Sequence, residues 1–228
     1  MADPARLRSN RRAAPAVPAW GARAAALVAM ALTAPVAGIG AIALLVVLGR
    51  PLLFRQERAG HLGRPFTLLK LRTMREERDA TGRLMPDRAR TPPTAALVRR
   101  LRIDEWPQLW AIARGDMAWI GPRPLLPDTV RRAGEIGRRR GLVRPGLTGL
   151  AQVSGNTRLD ESAKLALDVW YVAHRSWRLD LAILLATART LVGGERVDPA
   201  RAAMAKAFVR RSLEPTVGAG SAGDAERL

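Results

Sequence analysis

The chain has no cysteine, only two histidines, His61 and His174, and only three lysines, Lys70, Lys164 and Lys206, among its 38 basic residues. Without cysteine there is no disulfide framework and no thiolate-held metal. Two histidines exclude a histidine-rich metal centre. Acidic residues are also scarce, 20 in all, so the formal net charge is +18. A surface this basic suits polyanions: nucleic acid, anionic lipid headgroups or nucleotide substrates. GC-rich codon usage is the other source of an arginine excess. No internal repeat and none of the recognisable nucleic-acid-binding modules is present. At 228 residues there is room for one domain with appendages.

What the chain does have is one long apolar run. Ala24 to Gly49 carries no charge, and it exceeds the roughly 20 residues needed to span a bilayer. Pro35 sits near its middle, where it removes a backbone donor and clashes with the preceding turn. Both flanks are basic: Arg6, Arg8, Arg11, Arg12 and Arg23 before, Arg50, Arg55, Arg58 and Arg64 after. Positive charge favours the cytoplasmic side. A helix that dips in, breaks at Pro35 and returns satisfies both flanks, whereas a straight span leaves one outside. A cleaved signal peptide is the third reading, and the run is long for an h-region.

The rest divides into a basic arm over 1–23, the membrane segment over 24–49, a catalytic domain over 50–199 and a partly disordered tail over 200–228. Residues 52–57 and 65–72 read as two strands joined by a turn at 60–64. Residues 75–93 read as a charged surface loop. Helices are expected over 94–101, from Asp104 to Arg114 with Gly115 as the stop, and over 159–174. Residues 127–140 read as a basic helix or loop, and 144–149 as a turn cluster. Leu179 to Val192 is nearly all apolar and too short to span, which suits an interfacial helix. The fold class is a small mixed α/β domain with an N-terminal re-entrant membrane helix and interfacial amphipathic helices.

Two motifs carry chemistry. The first is Arg102-Ile103-Asp104-Glu105-Trp106-Pro107, adjacent carboxylates at an expected helix start. Carboxylates beside arginines suit Mg²⁺ and phosphates. Asp104 is either a nucleophile, ionised at neutral pH, or simply the cap of its helix. Glu105 is either a metal or substrate ligand or a first-turn glutamate favoured by the dipole. The second motif is Gly121-Pro122-Arg123-Pro124, where two prolines hold one guanidinium. That arrangement suits a phosphate grip, against the alternative of a surface turn. Lys70 and Arg72 alternate with Leu69 and Leu71, so both are expected on one strand face, toward phosphate, carboxylate or solvent. Arg102 is within reach of either carboxylate. Arg144 and Gln152 flank the turn cluster and are candidates for a nucleotide pocket. Asp116 is a site residue or a turn residue, Arg58 is expected to be structural, and the six tryptophans are expected in the core or the membrane interface.

These stretches, in this order, resemble the bacterial sugar transferase family, the monotopic phosphoglycosyl transferases. The matching pieces are Phe54–Gly60, Pro65–Thr67 leading to Lys70–Met74, the Asp104-Glu105 stretch, Gly115–Met117 leading to Gly121–Pro124, Val143–Val153 and Leu167–Val172. The resemblance implies a re-entrant helix broken at a proline. It implies transfer of a phosphosugar from a UDP-sugar to undecaprenyl phosphate with release of UMP, through a phosphosugar-aspartate at Asp104 and with Mg²⁺ held at Asp104 and Glu105. It also implies a place on the cytoplasmic face of the bacterial inner membrane. Homo-oligomerisation is left open, and nucleic acid is not an expected partner. The chain departs from the family pattern at Ala34, where a serine is usual, and at Leu71 and Leu150, where aromatics are usual. The rival reading is a membrane-tethered polyanion-binding protein without catalysis.

Overall fold

The computed structural model describes residues 19–213. Helix α1 (Ala19–Leu48) contains the apolar run and starts earlier than the uncharged stretch, at Ala19. It is long and apolar enough to cross a membrane. The helix runs on through Pro35 without an interruption, so the expected break is not a loss of helical structure. The nearby Thr33 hydroxyl donates to the Ala29 carbonyl at 2.6 Å and accepts from the Trp106 indole at 3.1 Å.

Strands β1 (Leu53–Ala59) and β2 (Pro65–Leu71) form the expected antiparallel hairpin, with Phe54 opposite Lys70. The following charged segment is mostly loop, with one short helix, α2 (Asp87–Arg90), before α3 (Pro93–Arg100). The helix expected to begin at Asp104 does not. Residues Ile103–Glu105 form a separate 3-10 turn, and α4 runs only from Gln108 to Arg114. Pro107 has no N–H to donate, and its fixed φ suits the residue just ahead of a helix. Gly115, at φ 89, ends α4 as expected.

Strand β3 (Ala118–Ile120) follows, then α5 (Pro127–Arg132) and α6 (Gly134–Arg140). The turn cluster is partly strand: β4 (Gly146–Thr148) pairs in parallel with β3. Two glycines make this contact close. A Cβ on Gly146 would lie 2.1 Å from the Gly121 nitrogen, and one on Gly121 would lie 2.5 Å from the Arg144 carbonyl. Then come α7 (Leu150–Val153), α8 (Glu161–His174) and α9 (Trp177–Gly193). Asp160 and Ser176 cap α8 and α9 by accepting from Ala163 and Leu179 amides. The segment expected to be a partly disordered tail begins with α10 (Pro199–Leu213). Its Ala202, Ala205 and Val209 are buried in the cluster around Leu167 and Tyr171. The extreme arm and the last residues of the tail lie outside the described residues.

Among the described residues the architecture is mostly helical, with two small two-stranded sheets, a coarser match to α/β than expected. The helices do the covering that a larger sheet would have done. Helix α1 packs along the domain at both ends. Ala26 joins Leu68, Leu109, Ile112 and Met117, while Leu44 joins Leu71, Ala95 and Val98. Its other face is bare, with Leu32, Ile39 and Val46 exposed, as are Leu181, Leu185 and Val192 on α9.

Candidate active site

Three elements meet at the acidic pair. Arg102 takes a left-handed conformation, φ 58 and ψ 18, just before the 3-10 turn. The turn is pressed against α1 where Gly40 leaves space, since a Cβ there would sit 2.8 Å from Ile103 Cγ2. Asp104 and Glu105 are both buried. Asp104 does not cap a helix: its Oδ1 is buried with no hydrogen-bond partner among the described residues.

Glu105 is the opposite case. Its Oε1 faces Lys70 Nζ at 3.2 Å, Arg102 at 3.4 Å and Arg123 at 3.6 Å. Burial alone would raise the Glu105 pKa, but Lys70, Arg123 and Arg102 together hold it below the usual carboxylate range. Asp104 shares less of that cationic field. Burial, then the neighbouring Glu105 charge, pushes it up to about 6. Lys70 is in turn lowered, by burial first, against the pull of Glu105.

The Arg123 turn is anchored from three sides. The Pro122 carbonyl accepts from the Gly146 amide at 2.9 Å, the Arg123 carbonyl from Arg140 at 2.5 Å, and the Pro124 carbonyl from Arg58 at 3.2 Å. Arg58 is structural, as expected. Gln152 is buried, donates to the Leu147 carbonyl at 3.4 Å, and has a buried Oε1 without a partner among the described residues. It lines, with Arg102 and Glu105, a cavity of about 450 Å³ between α1 and α9 whose other walls include Val36, Trp106, Leu147 and Leu184. An apolar slot thus opens onto Arg102 and Glu105.

Two candidates lie elsewhere. Arg72 is just past the end of β2 and donates to the Leu48 and Gly49 carbonyls at 2.6 and 2.8 Å, capping the C-terminus of α1. Strand alternation put it beside Lys70, but the strand ends at Leu71 and the side chain turns to the helix. Arg144 is exposed and lines a different cavity with Arg23 and Arg175. Asp116 pairs with Arg114 in the turn after α4.

Sequence reasoning assigned no role to Arg140 or Asp168. Asp168 was legible as an oddity, a carboxylate in the apolar run Leu165–Val169, whereas Arg140 is one of three successive arginines. Among the described residues no cluster of three or more metal-ligating side chains exists. The site is an acidic pair with cations.

The match to known proteins decides the family. Residues 19–194 match the family described as bacterial sugar transferase. The chain belongs to that family. Its relatives include the uncharacterized sugar transferase EpsL of Bacillus subtilis, 44% identical over 71% of this chain and 80% of that protein. The UDP-glucose:undecaprenyl-phosphate glucose-1-phosphate transferase of Caulobacter vibrioides is 38% identical over 74% of this chain and 67% of its own length. The undecaprenyl-phosphate galactose phosphotransferase of Salmonella typhimurium is 31% identical over 63% of this chain, which spans only 34% of that protein. This bacterial sugar transferase is thus an enzyme, and the polyanion-binding rival lapses as its primary function.

Proposed function

We propose that this sugar transferase moves a phosphosugar from a UDP-sugar to undecaprenyl phosphate and releases UMP. The observation that carries the reading is the division of labour in the pair. Glu105 is neutralised by three cations, while Asp104 keeps a buried oxygen with no partner among the described residues. An unpaired carboxylate oxygen is free to act as a nucleophile. Asp104 attacks the β-phosphorus, and the bond from that phosphorus to the bridging oxygen breaks, so UMP leaves. The phosphosugar is held as an acyl phosphate on Asp104. An oxygen of undecaprenyl phosphate then attacks the same phosphorus and expels the carboxylate. Lys70, Arg102 and Arg123 surround the pair and offset the charge of two anionic substrates. The apolar cavity beside Glu105 suits the first isoprene units of the acceptor.

Mg²⁺ fits the residues present. A buried Asp104 oxygen with no hydrogen-bond partner among the described residues suits a hard divalent cation that takes one or two carboxylates plus substrate oxygens. Asp104 would hold it, with Glu105 beside it, although one Glu105 oxygen already faces three cations. When bound, Mg²⁺ neutralises diphosphate charge. Chelation with EDTA should stop UMP release and added Mg²⁺ should restore it.

How α1 is held supports the proposed membrane placement. Its first turns are tied by the Trp119 indole to the Ala22 carbonyl at 3.0 Å, its last by Arg72 to Leu48 and Gly49. A straight helix of this length measures about 45 Å, more than the roughly 30 Å hydrocarbon core. Both ends dock on one domain that also carries a charged site. That supports a helix entering and leaving by the same face, with the site at the cytoplasmic surface of the inner membrane. The test of the function is UMP release from UDP-sugars with undecaprenyl phosphate. Asp104→Asn should abolish turnover and the covalent adduct while the protein stays folded. A variant retaining a tenth of wild-type rate would remove Asp104 as nucleophile.

A further inference from the structure

Beneath the Arg123 turn lies an ion pair that the chemistry above does not use. Arg140, the last residue of α6, donates from Nε and Nη2 to Asp168 Oδ2 at 3.2 and 2.8 Å. The same Nη2 donates to the Arg123 carbonyl at 2.5 Å. Both side chains are almost fully buried, 5% and 4% exposed. Asp168 Oδ1 has no partner among the described residues.

Stability does not account for such a pair. Desolvating two charges is costly, and well-packed apolar residues of similar volume commonly do as well or better. What an apolar pair lacks is a donor aimed at a carbonyl. The turn needs donors from outside, because Pro122 and Pro124 have no N–H to tie it down. The Gly146 amide and Arg58 hold the flanking carbonyls, and Arg140 holds the carbonyl of the residue whose guanidinium faces Glu105. Asp168 fixes the direction of Arg140, as a carboxylate orients a guanidinium fork.

We propose that Arg140 and Asp168 are a buried positioning pair that aims the Arg123 guanidinium at the acidic pair by gripping the Arg123 carbonyl. Neither touches substrate. The kinetic side of this inference rests on the transferase reading; the conformational side does not.

The test replaces both partners together, Arg140→Met with Asp168→Leu, because removing one strands a buried charge. The double variant should fold, with a melting temperature close to wild type. In full-length enzyme it should lower kcat for UMP release ten- to a hundredfold. In an Arg123→Ala background the same double replacement should cost no more than threefold, since there is no guanidinium left to aim. Equal losses in the two backgrounds would overturn the proposal. Amide hydrogen exchange gives an arm independent of turnover: the peptide covering residues 118–126 should exchange at least tenfold faster in the double variant, while α8 stays protected. Unchanged protection there would also overturn it. If the double variant fails to fold, Arg140→Lys serves in the same cycle, keeping the charge opposite Asp168 but losing the fork that reaches the carbonyl. Wild-type enzyme with no turnover on any UDP-sugar would count against the transferase reading, and the exchange result would then decide the positioning role alone.

Discussion

The rate of adduct formation should fall steeply on the acid side of neutrality, because the nucleophile titrates there. An ordinary aspartate at 3.8 is more than about nine tenths ionised at pH 5, whereas Asp104 is pushed up to about 6 by burial and by Glu105. At pH 7 about nine tenths of the enzyme carries ionised Asp104, and at pH 5 about one tenth. Single-turnover formation of the phosphosugar adduct, followed by rapid quench with labelled UDP-sugar at fixed Mg²⁺, should therefore drop about tenfold between pH 7 and 5. Bound Mg²⁺ favours the ionised form, so raising its concentration should move the limb to lower pH. Glu105→Gln removes the like charge that raises Asp104 and should also move the limb down, but not back to an ordinary aspartate, because burial is the larger cause. Lys70→Gln should move it up, since Lys70 lowers Asp104. The limb belongs to the coupled pair rather than to one carboxylate. A rate that is flat from pH 5 to 7.5, or a Glu105→Gln limb moved upward, would refute the reasoning.

Further outcomes follow from the same geometry. A rise from 3.8 to about 6 opposes folding by roughly 3 kcal/mol once Asp104 is ionised, at about 1.4 kcal/mol for each pH unit. That cost is absent below the unfolded pKa and complete above the folded one. Asp104→Asn should therefore raise the melting temperature at pH 7.5 and leave it little changed near pH 3.5, which differential scanning calorimetry would read. Arg123→Lys keeps the charge but loses the planar fork, so kcat for UMP release should fall about 30- to 150-fold, the rate equivalent of roughly 2–3 kcal/mol. Arg144→Ala should leave kcat within threefold, because Arg144 lines a different cavity; comparable losses for the two would contradict the site as drawn. With no native cysteine, Asn10→Cys and His61→Cys should both be labelled only from the cytoplasmic side of intact cells, and labelling from opposite sides would mean a straight span.

Several elements were legible before any coordinates. The β1–β2 hairpin was legible as two short runs around the turn at 60–64, α3 and α8 as helical stretches and α9 as a nearly all-apolar one, signals that act within a few residues. The long apolar helix α1 was legible from its lack of charge. The boundary of the acidic motif was not. A helix-like pattern runs from Asp104 to Arg114, but Pro107 separates α4 from a 3-10 turn that the left-handed Arg102 begins. The capping reading of Asp104 and the dipole reading of Glu105 therefore give way to one of burial. Helix α10 was also missed, because its alanine-rich sequence carries little amphipathic signal and becomes ordered by packing on α8.

By itself the sequence determined the chemical inventory: two adjacent carboxylates, a proline-framed arginine, an uncharged run long enough for a membrane, and no thiol chemistry. Those are properties of residue type and local spacing. Tertiary structure alone decided which cations share the site. Lys70, Arg102 and Arg123 converge on one oxygen of Glu105, while Arg72 turns to the end of α1 and Arg144 to another cavity. It also decided that Asp104 keeps an oxygen without a hydrogen-bond partner among the described residues and that Arg140, paired with buried Asp168, reaches the Arg123 carbonyl. The reason is physical. Charge and propensity are carried by each residue, but burial and distance, which set a carboxylate's pKa and an arginine's aim, arise only when segments distant in the chain are packed together.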